Sequence, residues 1–149
     1  MSEIREFFAG KWCFTREVYQ EQSLYAKGKG EATFVDNPST GQVVYHEVGV
    51  IRLIETDNDL SFYRSFLYDF AHEKIKVYFN DGANKGKLYQ QYVYQQEKQI
   101  IQSVCEHLCV ADFYNGVYFL IDQNNFRLET TVKGPKKDIF IRTLFCRIT

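Results

Sequence analysis

Residues 105 to 116 read Cys-Glu-His-Leu-Cys-Val-Ala-Asp-Phe-Tyr-Asn-Gly, which puts two thiols, an imidazole and a carboxylate within eight positions. Cys105, His107 and Cys109 recur at steps of two. On an extended strand such residues share one face, about 6.6 Å apart. Two of them could converge on one metal ion, since His nitrogen and Cys sulfur ligate zinc at about 2.0–2.3 Å; the third would have to splay from its strand. No Cys-x-x-Cys pair and no second His/Cys group accompanies them, and His46 and His72 stand alone. A Cys–His nucleophile pair needs an orienting group and an oxyanion hole, and nothing in the sequence points to either. The third reading is packing, in which Cys serves as a small hydrophobe and His107 as a hydrogen-bonded interior residue. Asp112 and Asn115–Gly116 then supply the turn. Packing is the strongest of the three, so no metal ligand and no catalytic residue is assigned. His107, Cys109 and Asp112 are kept as candidate ligand-binding residues, with His107 expected to face inward near Arg64 and Glu47.

A second set of candidates consists of charges placed on aromatic faces. Arg16 alternates with Trp12 and Phe14, Arg64 with Phe62, Phe66 and Phe70, Glu47 with Tyr45 and Gly49, and Arg147 with Phe145. A charge on such a face either snorkels at the rim or is buried and paired. The sharper expectation is an interior polar cluster of Arg16, Arg64 and Arg147 with Glu47 as counter-charge, suited to an anionic or polar-headed ligand. Gly134-Pro135 marks a tight turn. Lys136, Lys137 and Asp138 follow it, either as a solvated hairpin or with Lys137 meeting the ligand at a mouth.

The elements that must position these residues are strands. The chain has 149 residues, enough for one domain with its own core. It carries 11 Tyr and 13 Phe but only two Pro, a balance that favours β structure. Ser2 can cap a short helix over 3–9, ended by Gly10. Beyond it, period-two segments follow one another over 11–19, 27–35, 42–54, 60–70, 73–79, 87–96, 98–110, 112–121, 126–134 and the C-terminal stretch. Short links imply antiparallel neighbours. A meander of about ten strands removes its edges by closing, so an all-β, antiparallel up-and-down barrel of eight to ten strands is expected over residues 1–149.

Charge and hydropathy exclude several classes. Eighteen basic and 19 acidic residues are well mixed, which gives no nucleic-acid surface. No apolar run approaches the roughly 18 residues of a membrane-spanning helix. The charged start "MSEIREFFAG" has no apolar signal core. A cytoplasmic location is therefore expected, with Cys13, Cys105, Cys109 and Cys146 as free thiols.

The start Gly10-Lys11-Trp12 after a short helix resembles the G-x-W signature of lipocalins and other calycins. In that resemblance the Trp packs under an Arg of the last strand, here Arg147, near the closed end. The link between the first two strands is too short for the helix pair of fatty-acid-binding proteins. A fuller resemblance, over nearly the whole chain, is to a domain-of-unknown-function family of intracellular lipocalin-like barrels. Its motifs are G-x-W-x-x-x-R (Gly10, Trp12, Arg16), Y-x-E-x-G (Tyr45, Glu47, Gly49) and R-x-x-x-Y-x-F (Arg64, Tyr68, Phe70), then H-x-C-x-x-D-x-Y-x-G (His107, Cys109, Asp112, Tyr114, Gly116) and G-P-x-K-D (Gly134, Pro135, Lys137, Asp138). It adds Tyr45, Tyr68 and Tyr114 to the candidate site. One departure is that no aromatic-His pair follows the Asp81-Gly82 turn. The resemblance carries no activity.

Binding therefore leads: a small molecule with a polar or anionic group, held inside the barrel, with no cofactor and with the protein a monomer or weak dimer. Haem is disfavoured, since the haem-binding barrels that this chain resembles use a His near the C-terminal end and no His follows position 107 here. The alternatives are an enzyme that uses His107, Cys109 and Asp112 with Arg16, Arg64 and Glu47, or a scaffold for protein–protein contact. A cavity with charges aimed into it favours the first two, and a filled interior favours the scaffold.

Overall fold

The computed structural model describes residues 2–71, 73–104 and 113–149. Among the described residues one α-helix, α1 (Ser2–Phe8), is followed by ten strands, with a short 3-10 turn at Gln96–Lys98 between the sixth and the seventh. They are β1 (Gly10–Gln20), β2 (Ser23–Asp36), β3 (Val43–Leu53), β4 (Asp59–Ala71), β5 (Lys74–Phe79), β6 (Leu88–Gln95), β7 (Ile100–Ser103), β8 (Phe113–Asp122), β9 (Asn125–Gly134) and β10 (Lys137–Arg147). Each strand pairs antiparallel with the next, and β1 closes the barrel by pairing with β10. This is the all-β, up-and-down barrel expected from the period-two pattern, at the upper end of the expected strand count. No helix among the described residues is long and apolar enough to cross a membrane.

The first hairpin departs from expectation. The pattern places the second strand at 27–35, yet β2 starts at Ser23 and the turn is only Glu21-Gln22. Both residues have positive φ, 48° and 70°, as a two-residue type I′ turn requires. Glu-Gln lacks the Asn-Gly or Asp-Gly chemistry that signals such turns, so the hairpin was not legible.

The core follows parity. On β1, Trp12 and Phe14 are buried while Cys13 and Thr15 are exposed. Helix α1 inserts Ile4 and Phe8 into one end of the barrel. The Phe8 ring lies 5.1 Å from that of Phe34, 5.2 Å from Phe126 and 5.6 Å from Tyr118. Trp12 is completely buried beside this plug, and its indole N–H donates to the Phe8 carbonyl at 2.9 Å. Gly10 makes the corner between helix and strand with φ +115°, a conformation that side chains disfavour.

Arg147 closes the same end. Its guanidinium lies 4.2 Å from the Trp12 ring centroid, a cation–π distance. It also donates to the carbonyls of Phe7 (2.6 Å), Ala9 (2.9 Å) and Gln123. The last carbonyls of a helix have no partner within it, and a cation there also complements the helix dipole. One side chain thus ties α1, the β8–β9 turn and the Trp together, in the packing implied by the calycin resemblance. The same placement corrects the other expectation for Arg147. It is not part of an interior charge cluster, because its side chain leaves the barrel at the closed end.

Candidate functional site

Inward-facing residues of the mid-barrel enclose a cavity of about 100 Å³. Its walls include Arg16 from β1, Tyr45 and Glu47 from β3, Arg64, Phe66 and Tyr68 from β4, Tyr89 and Tyr92 from β6, Tyr118 from β8 and Thr143 from β10. Register brings the charges together. Glu47 is directly opposite Arg64 on β4, and Arg16 faces Thr143 on β10. Two glycines of the adjoining β2–β3 ladder, Gly30 and Gly49, also face each other. The Phe14 and Phe62 rings lie against them, each with an atom 2.8 Å from where a Cβ would stand. A Cβ at either position would also meet the backbone carbonyl of the paired strand, Val48 or Lys29, so the ladder needs glycine there.

Arg16 and Glu47 form a bidentate pair, Nη1 to Oε2 at 2.7 Å and Nη2 to Oε1 at 3.0 Å. Arg16 Nε donates to Thr143 Oγ1 at 2.9 Å, and Tyr45 donates to Glu47 Oε1 at 2.6 Å. Burial by itself opposes both charges. For Glu47 the hydrogen bonds and charge of Arg16, then Tyr45 and Arg64, outweigh it and hold the carboxyl below its ordinary value. For Arg16, burial is likewise outweighed by Glu47, and the pKa is raised. Burial, reinforced by the Glu47 charge, pushes the Tyr45 phenol well above 10. Burial does the same to Tyr68, Tyr92 and Tyr118. These phenols are therefore neutral, and Tyr68 and Tyr118 share a hydrogen bond of 2.6 Å.

Arg64 is different. Its guanidinium lies 4.8 Å from the Phe66 ring centroid, its side chain is solvent-accessible, and it forms no ion pair among the described residues. Arg16 is neutralised by Glu47, so among the described residues that line the cavity one net positive charge is left, on Arg64. Such a site can hold an anion by charge and accept or donate hydrogen bonds through neutral phenols.

Of the candidates from the sequence, Arg16, Tyr45, Glu47, Arg64 and Tyr68 line this single cavity. Tyr114 keeps the inward parity of Gly116 and Tyr118 on β8, but it is 36% exposed and stands outside the lining. Lys137 lies at the β9–β10 hairpin, in a rim groove with Gln20, Glu21 and Lys136 rather than in the cavity. His107, Cys109 and Asp112 lie outside the described residues, as does Cys105. Sequence reading missed Tyr89, Tyr92, Tyr118 and Thr143. Parity marks Tyr92 and Tyr118 as inward only once the facing of β6 and β8 is known, and both strands carry aromatics on both faces.

Residues 8–147 match the family described as "Family of unknown function (DUF6314)". A comparison with curated protein sequences returned no match. Among solved structures, the chain is similar to the S-type phycobiliprotein lyase CPES from Guillardia theta, with a TM-score of 0.68 at 8% identity over 99% of this chain and 92% of that one. It also matches two redesigned β-barrels bound to DFHBI. For mFAP0 the TM-score is 0.38 at 10% identity, covering 95% of this chain and 99% of that one. For mFAP1 it is 0.41 at 11% identity, covering 94% and 95%. The lyase similarity, at this identity, shows a shared barrel fold. The family match spans nearly the whole barrel, from the plug residue Phe8 to the closing Arg147, and the chain belongs to the DUF6314 family.

Proposed function

We propose that this protein is a binding barrel for a small ligand with a compact anionic group, such as a carboxylate. The observation that carries this is the charge arrangement: a buried Arg16–Glu47 pair that cancels itself, and Arg64 left at the mouth of the same cavity. Arg suits the role because its planar fork matches a carboxylate with two parallel hydrogen bonds. The neutral, partly buried phenol of Tyr89 in the same lining offers a hydrogen-bonding group, and the Phe66 ring offers an apolar wall. The volume sets the size. About 100 Å³ is room for a small polar group and not for a whole drug-sized molecule. A larger ligand, of the kind that fills pockets of about 300–1,000 Å³, would leave most of its body outside the mouth.

The test compares charged and neutral probes of one shape. Benzoate should raise the thermal midpoint of the protein in a concentration-dependent way, as a ligand that binds the folded state does, while benzamide should not. Arg64→Gln should remove the benzoate effect and leave the unliganded midpoint nearly unchanged. Equal responses to both probes, or a benzoate effect that survives Arg64→Gln, would overturn the reading. The small cavity also supports a second reading, a filled barrel that acts as a scaffold. No response to any small anion, with native mass spectrometry showing an empty monomer, would favour that one.

A further inference from the structure

Cys13 on β1 and Cys146 on β10 are direct cross-strand partners on the outside of the barrel, both exposed and both free thiols. We propose that they form a reversible disulfide site, oxidised by low-molecular-weight disulfides such as glutathione disulfide. The inference does not depend on what the barrel binds.

The register supplies the geometry. Ile148 N–H donates to the Lys11 carbonyl at 2.9 Å, which makes 11 and 148 a hydrogen-bonded pair. Such pairs alternate along an antiparallel ladder, so 13 and 146 form the next one, with Cα atoms about 5.5 Å apart. That falls within the roughly 4.4–6.8 Å spanned by disulfides. In a hydrogen-bonded pair the Cβ atoms stand at the wide end of the roughly 4.5–5.5 Å range, against about 3.5–4.5 Å across a disulfide. Bridging therefore has to draw the two strands together by about 1 Å. An exposed and strained bond of this kind belongs with the labile disulfides, not the permanent ones. The flanking residues on this surface are Glu31, opposite Cys13 on β2, and Asn125, opposite Cys146 on β9, so neither thiol is covered by a bulky neighbour.

The chemistry balances in two exchanges. One protein thiolate attacks the small disulfide, forms a mixed disulfide and releases one small thiolate. The second protein thiolate attacks the protein sulfur of that mixed disulfide and releases the other. Two protein thiols are oxidised, one small disulfide is reduced to two thiols, and the two protein protons end on them. The bond joins the first strand to the last, across the seam that also holds the Arg16 to Thr143 hydrogen bond.

The sequence makes the test clean. Trypsin cleaves after Lys11, Arg16, Arg142 and Arg147, which isolates Cys13 on Trp12–Arg16 and Cys146 on Thr143–Arg147, while Cys105 and Cys109 stay together on a separate peptide. The native protein is equilibrated with mixtures of reduced and oxidised glutathione, free thiols are alkylated, and the digest is analysed without reduction. The expected product is the two short peptides linked, lighter than their sum by two hydrogens and separated again by dithiothreitol. Cys13→Ser or Cys146→Ser should instead hold one glutathione on the remaining partner. The proposal is overturned if both cysteines stay alkylated, if each carries its own glutathione, or if the link forms only in denaturant.

Discussion

At the scale of single residues, Glu47 is the site group whose loss should cost most. It is 4% exposed and neutralises Arg16, whose side chain is 14% exposed. Glu47→Gln keeps the shape but leaves a buried, uncompensated guanidinium, and removing one partner of such a pair typically costs about 3–5 kcal/mol. Chemical denaturation should show a loss of that order, with Arg64→Gln near zero by comparison. The pair also sets an acid limit. The folded carboxyl of Glu47 titrates below its ordinary value of 4.5. Its stabilisation is therefore fully present above that pH and fades as pH falls through the lower, folded value. Glu47→Gln should flatten this acid-side slope. On the alkaline side the buried phenols of Tyr45, Tyr68, Tyr92 and Tyr118 keep their protons well above pH 10 while folded. They favour the folded state fully below the ordinary phenol value and progressively less as pH rises past it. A pH jump should show their tyrosinate absorbance appearing together with unfolding. If that absorbance rose first in a still-folded barrel, these phenols would not be sealed in.

At the scale of elements, the plugged end depends on a few side chains shared between α1 and the strands. Trp12→Ala removes a fully buried ring that touches Phe7 and Phe126, and a change of that kind typically costs about 3–5 kcal/mol. Arg147→Ala acts differently. It frees the carbonyls of Phe7, Ala9 and Gln123 together, and all three lie where α1 meets the barrel. Amide hydrogen exchange in residues 2–9 should speed up much more than in β3 or β4, because a seven-residue helix is not stable without docking. Uniform acceleration across the barrel would show that Arg147 supports the whole closure and not the helix alone.

At the scale of the whole molecule, the seam between β1 and β10 joins the two ends of the chain. Pairing runs from Trp12 opposite Arg147 to Gln20 opposite Ile139. A contact of such sequence separation forms only after a large loop has closed, which slows folding. It also means that the chain ends emerge from neighbouring strands at one end of the barrel. A circular permutant with those ends linked and new termini cut between Gly82 and Ala83, in the exposed β5–β6 turn, should fold to the same strand content and refold faster than the parent. A permutant that is insoluble or rich in helix would argue against the closed meander as the stable unit.

The sequence by itself determined the class of fold, because period two is written in residue after residue and short links leave few topologies. Trp12 with Arg147 was legible as well, through the resemblance of the G-x-W start and the late Arg to the calycin pattern. It also marked Arg16, Glu47 and Arg64, as charges placed among aromatics on one face of each strand, while Tyr45 and Tyr68 came from the family resemblance. What it could not decide was which of those charges meet. Parity assigns a face but not a height in the barrel, and height is set by the register of every pair between two strands. Arg16 is 31 positions from Glu47 and 131 from Arg147 in sequence. Only the β1–β2–β3 ladder sets the first beside it, and only the exit of β10 carries the second to the far end. The size of the cavity was decided later still, by how the Tyr and Phe rings interlock once all ten strands are closed. That is a property of summed volumes in three dimensions, which no stretch of sequence contains.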